Sequence, residues 1–270
     1  YNDDTIIYMY YGNSEVATDP STTSVWDANY KHVIHLQTDG TDSTSNGYNG
    51  TATGAPGDVT GKILGAQDFV RTDTEYYSFA NPSMSGVTAF TVEAWAEVNS
   101  AADENTKTIW AEDSKFWFYV DGSANLWIKT DGFGTSGTQV TNYDFNNNTL
   151  HHVVFQCYVQ VGGTDNRRVW VDGVKVYTEN VDGMELKWKG GATIKLASAK
   201  GGDTWDGGLD EYRLSVGAFR SSEWIKTEYT NQDDPSTFYS VGLEQIGTWY
   251  SHTDSDREDP EENNFAGDEN

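Results

Sequence analysis

The segment Gly207–Val216, GGLDEYRLSV, carries apolar residues at both parities of a two-residue repeat. Because side chains alternate between the two faces of a strand, one face is predicted to hold Leu209, Glu211, Arg213 and Ser215. The opposite face is predicted to hold Asp210, Tyr212, Leu214 and Val216. Since neither face is purely polar, the segment is predicted to be a strand inside a two-layer β-sandwich. Asp210 has no charged partner of opposite sign beside it, so it must face water, accept backbone N–H groups or hold a cation.

Strand-like segments recur along most of the chain. Alternation is clearest over residues 90–98, FTVEAWAEV, and two hairpins are predicted with turns at residues 121–125 and 172–173. Further strands are predicted at residues 5–11, 33–36, 65–70, 75–79, 108–111, 116–120, 126–128, 151–159, 168–177 and 193–196. With no helical crossovers between them, these segments indicate an all-β fold of antiparallel strands. One short helix is predicted near the C-terminus, capped by Ser221 or Ser222 and ended by Pro235.

Composition restricts the classes of partner. The 270 residues include 42 acidic and 17 basic side chains, for a formal net charge of −25. A surface of this charge repels nucleic acid and anionic lipid, and no apolar run is long enough for membrane insertion. The acidity is typical of a secreted protein. The single cysteine, Cys157, is predicted to be a buried thiol, since its neighbours are apolar.

Four motifs occur in a characteristic order. They are FTVEAW at 90–95, HHVV at 151–154, VWVDG at 169–173 and GLDEYRLS at 208–215. The chain over about residues 30–230 thereby resembles the laminin-G-like branch of the concanavalin-A-like jelly rolls. The resemblance implies a two-sheet antiparallel jelly-roll sandwich and, often, a structural calcium ion. It implies no single function, since the family includes carbohydrate binders, adhesion modules, spacers beside enzymes and virion proteins.

The same resemblance divides the chain into three regions. Residues 1–24 are expected to be an N-terminal strand and connector, similar to the end of a module that precedes this domain in prokaryotic surface proteins. Residues 25–245 are expected to be the jelly roll. Residues 246–270 are expected to be an acidic tail or linker, since from residue 252 onward there are eight acids and one arginine.

A calcium site is predicted in a polar segment with few large apolar groups, residues 37–61. In related jelly rolls a loop after the first core strand meets the aspartate at the position of Asp210 around such an ion. We therefore expect Asp210 and Asp42 to bind Ca²⁺, with Asn46 or Asn49 contributing. The alternative is a solvated loop, with Asp210 accepting hydrogen bonds from backbone amides.

The sequence contains no complete set of catalytic residues. Glu93 and Glu97 share a strand face with Trp95, but the glucanase pattern they resemble needs an aspartate where Trp95 stands. His151 and His152 are adjacent on a predicted strand, so their rings point to opposite sides and are not expected to chelate one ion. The chain is predicted not to be an enzyme.

Aromatic residues supply a candidate binding surface. Since Phe118 is predicted in the core, Trp117 and Tyr119 face the other way, and Trp127 likewise opposes its apolar neighbours. Trp188 and Trp205 lie in loop-like segments and are predicted at the rim of this surface. Aromatic faces stack against the apolar C–H faces of sugar rings. The alternative is packing under loops or against a neighbouring module.

The sequence thus predicts a non-catalytic, extracellular carbohydrate-binding or adhesion module with structural calcium, whose partner is a glycan or cell-surface polysaccharide. The alternative is a structural or decoration protein of a cell surface or virion, which contacts neighbouring modules or copies of itself. A glycoside hydrolase is the third reading.

Overall fold

The computed structural model describes residues 7, 9, 15, 17, 22–82, 86–99, 106–112, 116–130, 137–141, 145, 147–158, 164–182, 193–199 and 203–243. The chain divides into two units, Tyr1–Phe238 and Tyr239–Asn270, and all the regular structure named below belongs to the first. The predicted strand at residues 5–11, apart from residues 7 and 9, and the acidic segment at 246–270 lie outside the described residues.

Strands dominate the described part of the chain. In chain order they are β1 (Tyr30–Ile34), β2 (Thr51–Thr53), β3 (Gly57–Thr60), β4 (Gly65–Phe69), β5 (Tyr76–Ala80), β6 (Ala89–Ala96), β7 (Lys107–Glu112), β8 (Phe116–Val120), β9 (Leu126–Thr130), β10 (Thr138–Thr141), β11 (His151–Tyr158), β12 (Thr164–Val171), β13 (Val174–Asp182), β14 (Thr193–Leu196) and β15 (Gly207–Val216). Two helices follow, α1 (Ser222–Asp233) and α2 (Pro235–Phe238). Within the described residues neither helix has the length and apolarity that a bilayer crossing requires.

The strands form two antiparallel sheets. Sheet A has the order β13-β12-β11-β6-β15-β4-β3, with β1 also paired to β15, and sheet B has the order β10-β9-β8-β7-β14-β5-β2. Side chains from both sheets meet in one core, where the ring of Phe90 lies 5.8 Å from that of Trp110 and 5.4 Å from that of Phe155. The predicted all-β, antiparallel two-sheet sandwich with one short C-terminal helix is confirmed. Cys157 is buried in this core as a free thiol, as predicted.

Strand β15 departs from simple alternation. Asp210 is opposite Trp95 and Arg213 is opposite Glu93, so two residues of β15 occupy the place of one residue of β6. The extra residue is Glu211, whose φ of 49° is left-handed. After this β-bulge the side chains resume on the other parity, and the buried core set is Leu209, Tyr212, Leu214 and Val216. The predicted placement of Leu209 with Glu211 and Arg213 is therefore wrong, because one inserted residue shifts the alternation.

Helix α1 covers the outer face of sheet A. Ser221 caps it as predicted, its Oγ accepting from the Trp224 N–H at 3.2 Å. Ile225 is buried against Val154 and Trp170, whereas the ring of Tyr229 stacks on that of Trp95 with centroids 5.8 Å apart. This face of the sandwich is therefore occupied by the protein's own helix.

A charged network lies between this helix and the sheet. The buried Arg213 guanidinium donates to Glu211 at 2.8 Å and pairs with Glu228 of α1, and Glu93 lies 4.0 Å away. Glu211 also accepts from His35 at 2.7 Å. Burial raises the pKa of Glu211, but the His35 and Arg213 partners outweigh it and hold that pKa below its usual value. Because a buried charge is costly without a partner, this network fixes α1 in place.

Candidate ligand-binding face

The outer face of sheet B carries the aromatic residues singled out in the sequence. Along β8 the side chains of Phe116, Phe118 and Val120 are buried, and those of Trp117 and Tyr119 are half-buried on the opposite side. Strand β9 repeats the pattern, with Trp127 and Lys129 half-buried between core residues. The structure thus brings Trp117, Tyr119 and Trp127 to one face, because both strands keep strict alternation.

Two of these rings form a stack. Tyr119 and Trp127 are directly opposite each other in the β8–β9 pair, and their ring centroids are 6.1 Å apart with an interplanar angle of 13°. Trp117 meets Tyr119 nearly edge-on, with centroids 6.3 Å apart and an angle of 80°. The three rings form a continuous aromatic surface, which we call the aromatic face.

The β8–β9 turn holds one end of this surface. Asp121 Oδ1 accepts from the backbone N–H groups of Ser123 and Asn125 at 2.9 and 3.0 Å, and its Oδ2 accepts from Trp127 Nε1 at 2.7 Å. Partial burial raises the pKa of Asp121, but the hydrogen bonds from Asn125 and Trp127 outweigh it and lower that pKa. The ionised Asp121 carboxylate therefore fixes the orientation of the Trp127 indole.

Tyr119 is neutral over the physiological range. Burial, together with the nearby carboxylates of Asp121 and Asp203, raises the pKa of its hydroxyl to about 12. Beside the hydroxyl lies Gly137, where a Cβ atom would overlap the Tyr119 oxygen. The phenol is thus available as a hydrogen-bond donor and acceptor at the edge of the aromatic face.

Lysines complete the face on the other side of Trp117. Lys129 Nζ lies 4.4 Å from the centroid of the Trp117 ring, and Lys195 Nζ lies 4.5 Å from that of Tyr76. Both are cation–π distances. The face therefore has a cationic side at Trp117 and an acidic side at Tyr119.

The structure describes one of the two predicted rim tryptophans, and that one lies away from this surface. Trp205 is fully buried in the core, and its Nε1 is directed at the Gly208 carbonyl at 3.4 Å. The prediction that Trp205 is a rim residue is wrong. Its neighbours in the sequence are polar, but its own ring turns inward and packs between the two sheets. Trp188 lies outside the described residues.

The predicted calcium ligands divide into two groups. Asp42, Asn46 and Asn49 lie in one loop, which Asp42 organises: its Oδ1 accepts from the N–H groups of Val33 and Thr44 at 3.1 and 3.0 Å. Its Oδ2 accepts from the Thr44 hydroxyl and the Tyr48 N–H, both at 2.9 Å. Asn49 Oδ1 accepts from the Asp42 N–H at 2.8 Å, while Asn46 directs its amide nitrogen at the Tyr30 carbonyl at 3.0 Å.

Asp210 belongs to a different loop. Its Oδ2 accepts from the N–H groups of Lys62 and Ile63 at 2.7 and 3.1 Å, and its Oδ1 from Glu211 at 2.8 Å. Burial raises the pKa of Asp210 to about 6, although these backbone donors oppose the rise. This is the arrangement of the alternative interpretation, in which Asp210 accepts from backbone amides.

These donors do not fit one calcium ion shared by the four residues. A carboxylate offers about four lone-pair sites, and at Asp42 four donors already occupy them. Among the described residues no three His, Cys, Asp or Glu side chains are grouped as a metal would require. Calcium binding stays a prediction, for which the hydrogen bonds of Asp42 and Asp210 give no support.

The carboxylates considered for catalysis are also separated. Glu93 is buried beneath α1 beside Arg213; burial raises its pKa against the opposing effect of that guanidinium. Glu97 instead lines a cavity of about 180 Å³ together with Asp68 and Asn99. Of the two histidines, His151 Nδ1 contacts Asp172 at 2.8 Å, whereas the ring of His152 packs on Trp95 at 5.3 Å.

The fold is a jelly-roll sandwich with an aromatic surface on sheet B. The chain belongs to the concanavalin A-like lectin/glucanases superfamily, whose family model matches residues 71–226. Among curated proteins no sequence matches the chain.

Solved structures with the same fold are distant in sequence. Domain 4 of AbnA, an extracellular GH43 arabinanase of Geobacillus stearothermophilus, solved with arabinotriose, is 18% identical with a TM-score of 0.55; the match covers 73% of this chain and 97% of that one. The binding domain of Paraclostridial Mosquitocidal Protein 1 is 12% identical with a TM-score of 0.60, covering 75% and 52%. A structure of botulinum neurotoxin type C, whose cell entry depends on interaction with two ganglioside molecules, is 13% identical with a TM-score of 0.54, covering 76% and 51%. The match thus spans about half the length of these toxin domains.

Proposed function

We propose that this domain is a non-catalytic, extracellular carbohydrate-binding module that holds a glycan on the aromatic face of sheet B. The observation that carries the proposal is the Tyr119–Trp127 stack, which is partly exposed and oriented by Asp121. Sugar rings stack on flat aromatic surfaces of this kind, and nearby carboxylates and hydroxyls bind their hydroxyl groups. On the other sheet, α1 covers part of the outer face, where Ile225 packs on Val154 and Trp170.

The chemistry of the face favours binding over hydrolysis. Glycoside hydrolysis uses two carboxyl groups, one of which must be protonated to act as an acid. At the aromatic face the carboxylate of Asp121 has a lowered pKa and is engaged by its own turn and by Trp127. A lowered pKa is the opposite of what a general acid needs.

The comparisons support the same class of function. One related domain was solved with arabinotriose, and one related toxin interacts with gangliosides. Both ligands contain sugars. The proposal does not depend on calcium, because neither the aromatic rings nor Asp121 needs an ion to hold its position.

The proposal is tested by titrating the domain with an oligosaccharide panel that includes arabino-oligosaccharides. Trp127→Ala should lower the affinity for the bound glycan at least tenfold, which corresponds to about 1.4 kcal/mol. Trp224→Ala is the matched control, because Trp224 is 46% exposed on α1, away from this face. Equal losses in the two variants would contradict the proposal. A defined oligomer in sedimentation, with no ligand in the panel, would instead favour the structural or decoration protein of a cell surface or virion.

A further inference from the structure

The outer face of sheet B carries two lysines in one row across the strands. The backbone register places Lys195 opposite Ala111, Ala111 opposite Trp117, and Trp117 opposite Lys129. Three strand intervals separate the two lysine backbones, or about 14 Å at the usual interstrand spacing. The small side chain of Ala111 lies between Lys195 and Trp117, so no bulky group of β7 separates them.

Neither lysine is paired with an acid among the described residues. Elsewhere in that part of the chain some basic groups meet carboxylates, as in Lys62 with Asp233 at 2.6 Å and Arg220 with Asp27 at 2.8 Å, while Lys175 lies over the Trp170 ring. Lys129 instead lies over the Trp117 ring of the aromatic face, and Lys195 lies over the ring of Tyr76 in β5. In a chain with 42 acids and 17 bases, this face therefore holds two cations that no described carboxylate neutralises.

Because of the position of Lys129, the affinity for a sugar should depend on the charge of that sugar. Its ammonium occupies the space over the Trp117 ring, where a sugar would stack. A neutral sugar that displaces the ammonium removes its cation–π contact and returns at most a hydrogen bond to an uncharged hydroxyl. A sugar with an anionic group returns a charge-assisted hydrogen bond to the same ammonium.

From this arrangement we propose that the ligand is an anionic oligosaccharide, whose carboxylate or sulfate groups are bound by Lys129 and Lys195. The inference rests on the function proposed above and specifies its substrate class. The anionic groups lie along the row from Lys195 to Lys129, and uncharged hydroxyls face Asp121 and the Tyr119 hydroxyl. The net charge of −25 repels other polyanions from the rest of the surface, so recognition depends on these short-range contacts.

The test compares charged sugars with their neutral counterparts. Oligogalacturonate and its methyl ester share one backbone, as do a sulfated oligosaccharide and its desulfated form. The native domain should bind at least one charged member about tenfold more tightly than its neutral counterpart. Preference within the first or the second pair identifies carboxylate or sulfate as the recognised group.

Variants then separate the two proposals. Lys129→Gln and Lys195→Gln should each weaken binding of the charged sugar about three- to tenfold without weakening binding of the neutral counterpart, as expected for partly exposed ion pairs. Lys226→Gln is the control, because Lys226 is an exposed lysine of α1. Equal affinity for charged and neutral members, with binding still lost in Trp127→Ala, overturns the anionic ligand and keeps the glycan-binding function. If no oligosaccharide of the wider panel binds either, both proposals fall.

Discussion

The ring of Trp127 lies over that of Tyr119 with centroids 6.1 Å apart, and the Trp127 indole N–H is held at 2.7 Å by Asp121. A stacked pair fixed by a turn presents its exposed surface without losing side-chain freedom when a ligand arrives. Preorganisation of this kind raises affinity because the cost of ordering is met during folding.

The first prediction concerns the support of this stack. Asp121→Ala removes the acceptor for Trp127 Nε1 and for two turn N–H groups, so glycan affinity should fall about fivefold and stability by about 1 kcal/mol. Titration and thermal unfolding measure the two effects. Asp39→Ala is the control, since Asp39 accepts the Thr41 N–H at 2.9 Å in an exposed loop. A variant that loses stability but keeps full affinity would show that the Trp127 orientation is unimportant for binding.

The second prediction concerns the polar loop. Asp42→Asn replaces one acceptor oxygen by an NH₂ group facing other donors, so the free energy of unfolding should fall by about 2–3 kcal/mol. Because Asp42 already has four donors, calcium or a chelator should shift the native melting temperature by less than about 1 °C. A rise of several degrees with calcium, lost in Asp42→Asn, would establish the ion site that the sequence predicted.

The third prediction tests a glycine at the start of β15. Gly207 has a φ of 141°, and a Cβ there would overlap the Glu97 carbonyl oxygen. Gly207→Ala should therefore lower the free energy of unfolding by about 3 kcal/mol or more, through backbone strain and displacement of Glu97. Gly57→Ala is the control, because nothing lies within 4 Å of the added carbon. Denaturant unfolding measures the free energy of unfolding of both variants. Equal values for the two would contradict the strained geometry at Gly207.

The fourth prediction is a pH dependence. Burial lowers the pKa of His32 to about 4, whereas an unfolded histidine titrates near 6.5. As the pH falls through this window, His32 binds a proton in the unfolded state and stays neutral in the folded state. The free energy of unfolding should therefore fall by up to about 3 kcal/mol. His152, with a pKa lowered to about 3 by burial and by Arg213, acts in the same direction. Asp210 acts oppositely, since its raised pKa favours the folded state on acidification.

His32→Gln isolates the histidine contribution, since glutamine keeps hydrogen-bonding groups and does not titrate. Its stability should depend less on pH between 6.5 and 4 than that of the native protein. Unfolding curves at both ends of this window measure the difference. The same slope in both proteins would mean that His32 does not titrate as its burial requires.

Regular alternation made much of the fold predictable. Strands β8 and β9 keep a strict two-residue period, so the shared face of Trp117, Tyr119 and Trp127 followed from the sequence. A serine cap at residue 221 or 222 also followed, because a serine hydroxyl can accept from a first-turn N–H, and Ser221 is the one that does so. Short edge strands were missed: β2 and β3 are fully exposed, and therefore lack the apolar pattern by which strands are found.

Long-range packing accounts for the remaining errors. The burial of Trp205 depends on both sheets meeting around it, which no local pattern records. Likewise, the donors that occupy Asp210 come from Lys62 and Ile63, far away in the chain. The lysine row was invisible because Lys129 and Lys195 become neighbours of one surface only through strand order.

The left-handed Glu211 gives β15 one residue more than the strand beside it needs. A single-codon deletion at this position would therefore differ in kind from any replacement. It would turn either Leu209 or the set of Tyr212, Leu214 and Val216 away from the interior. Charged side chains of the same strand would then point inward in their place. At this point the number of residues, more than the identity of the side chain, decides which way the rest of the strand faces.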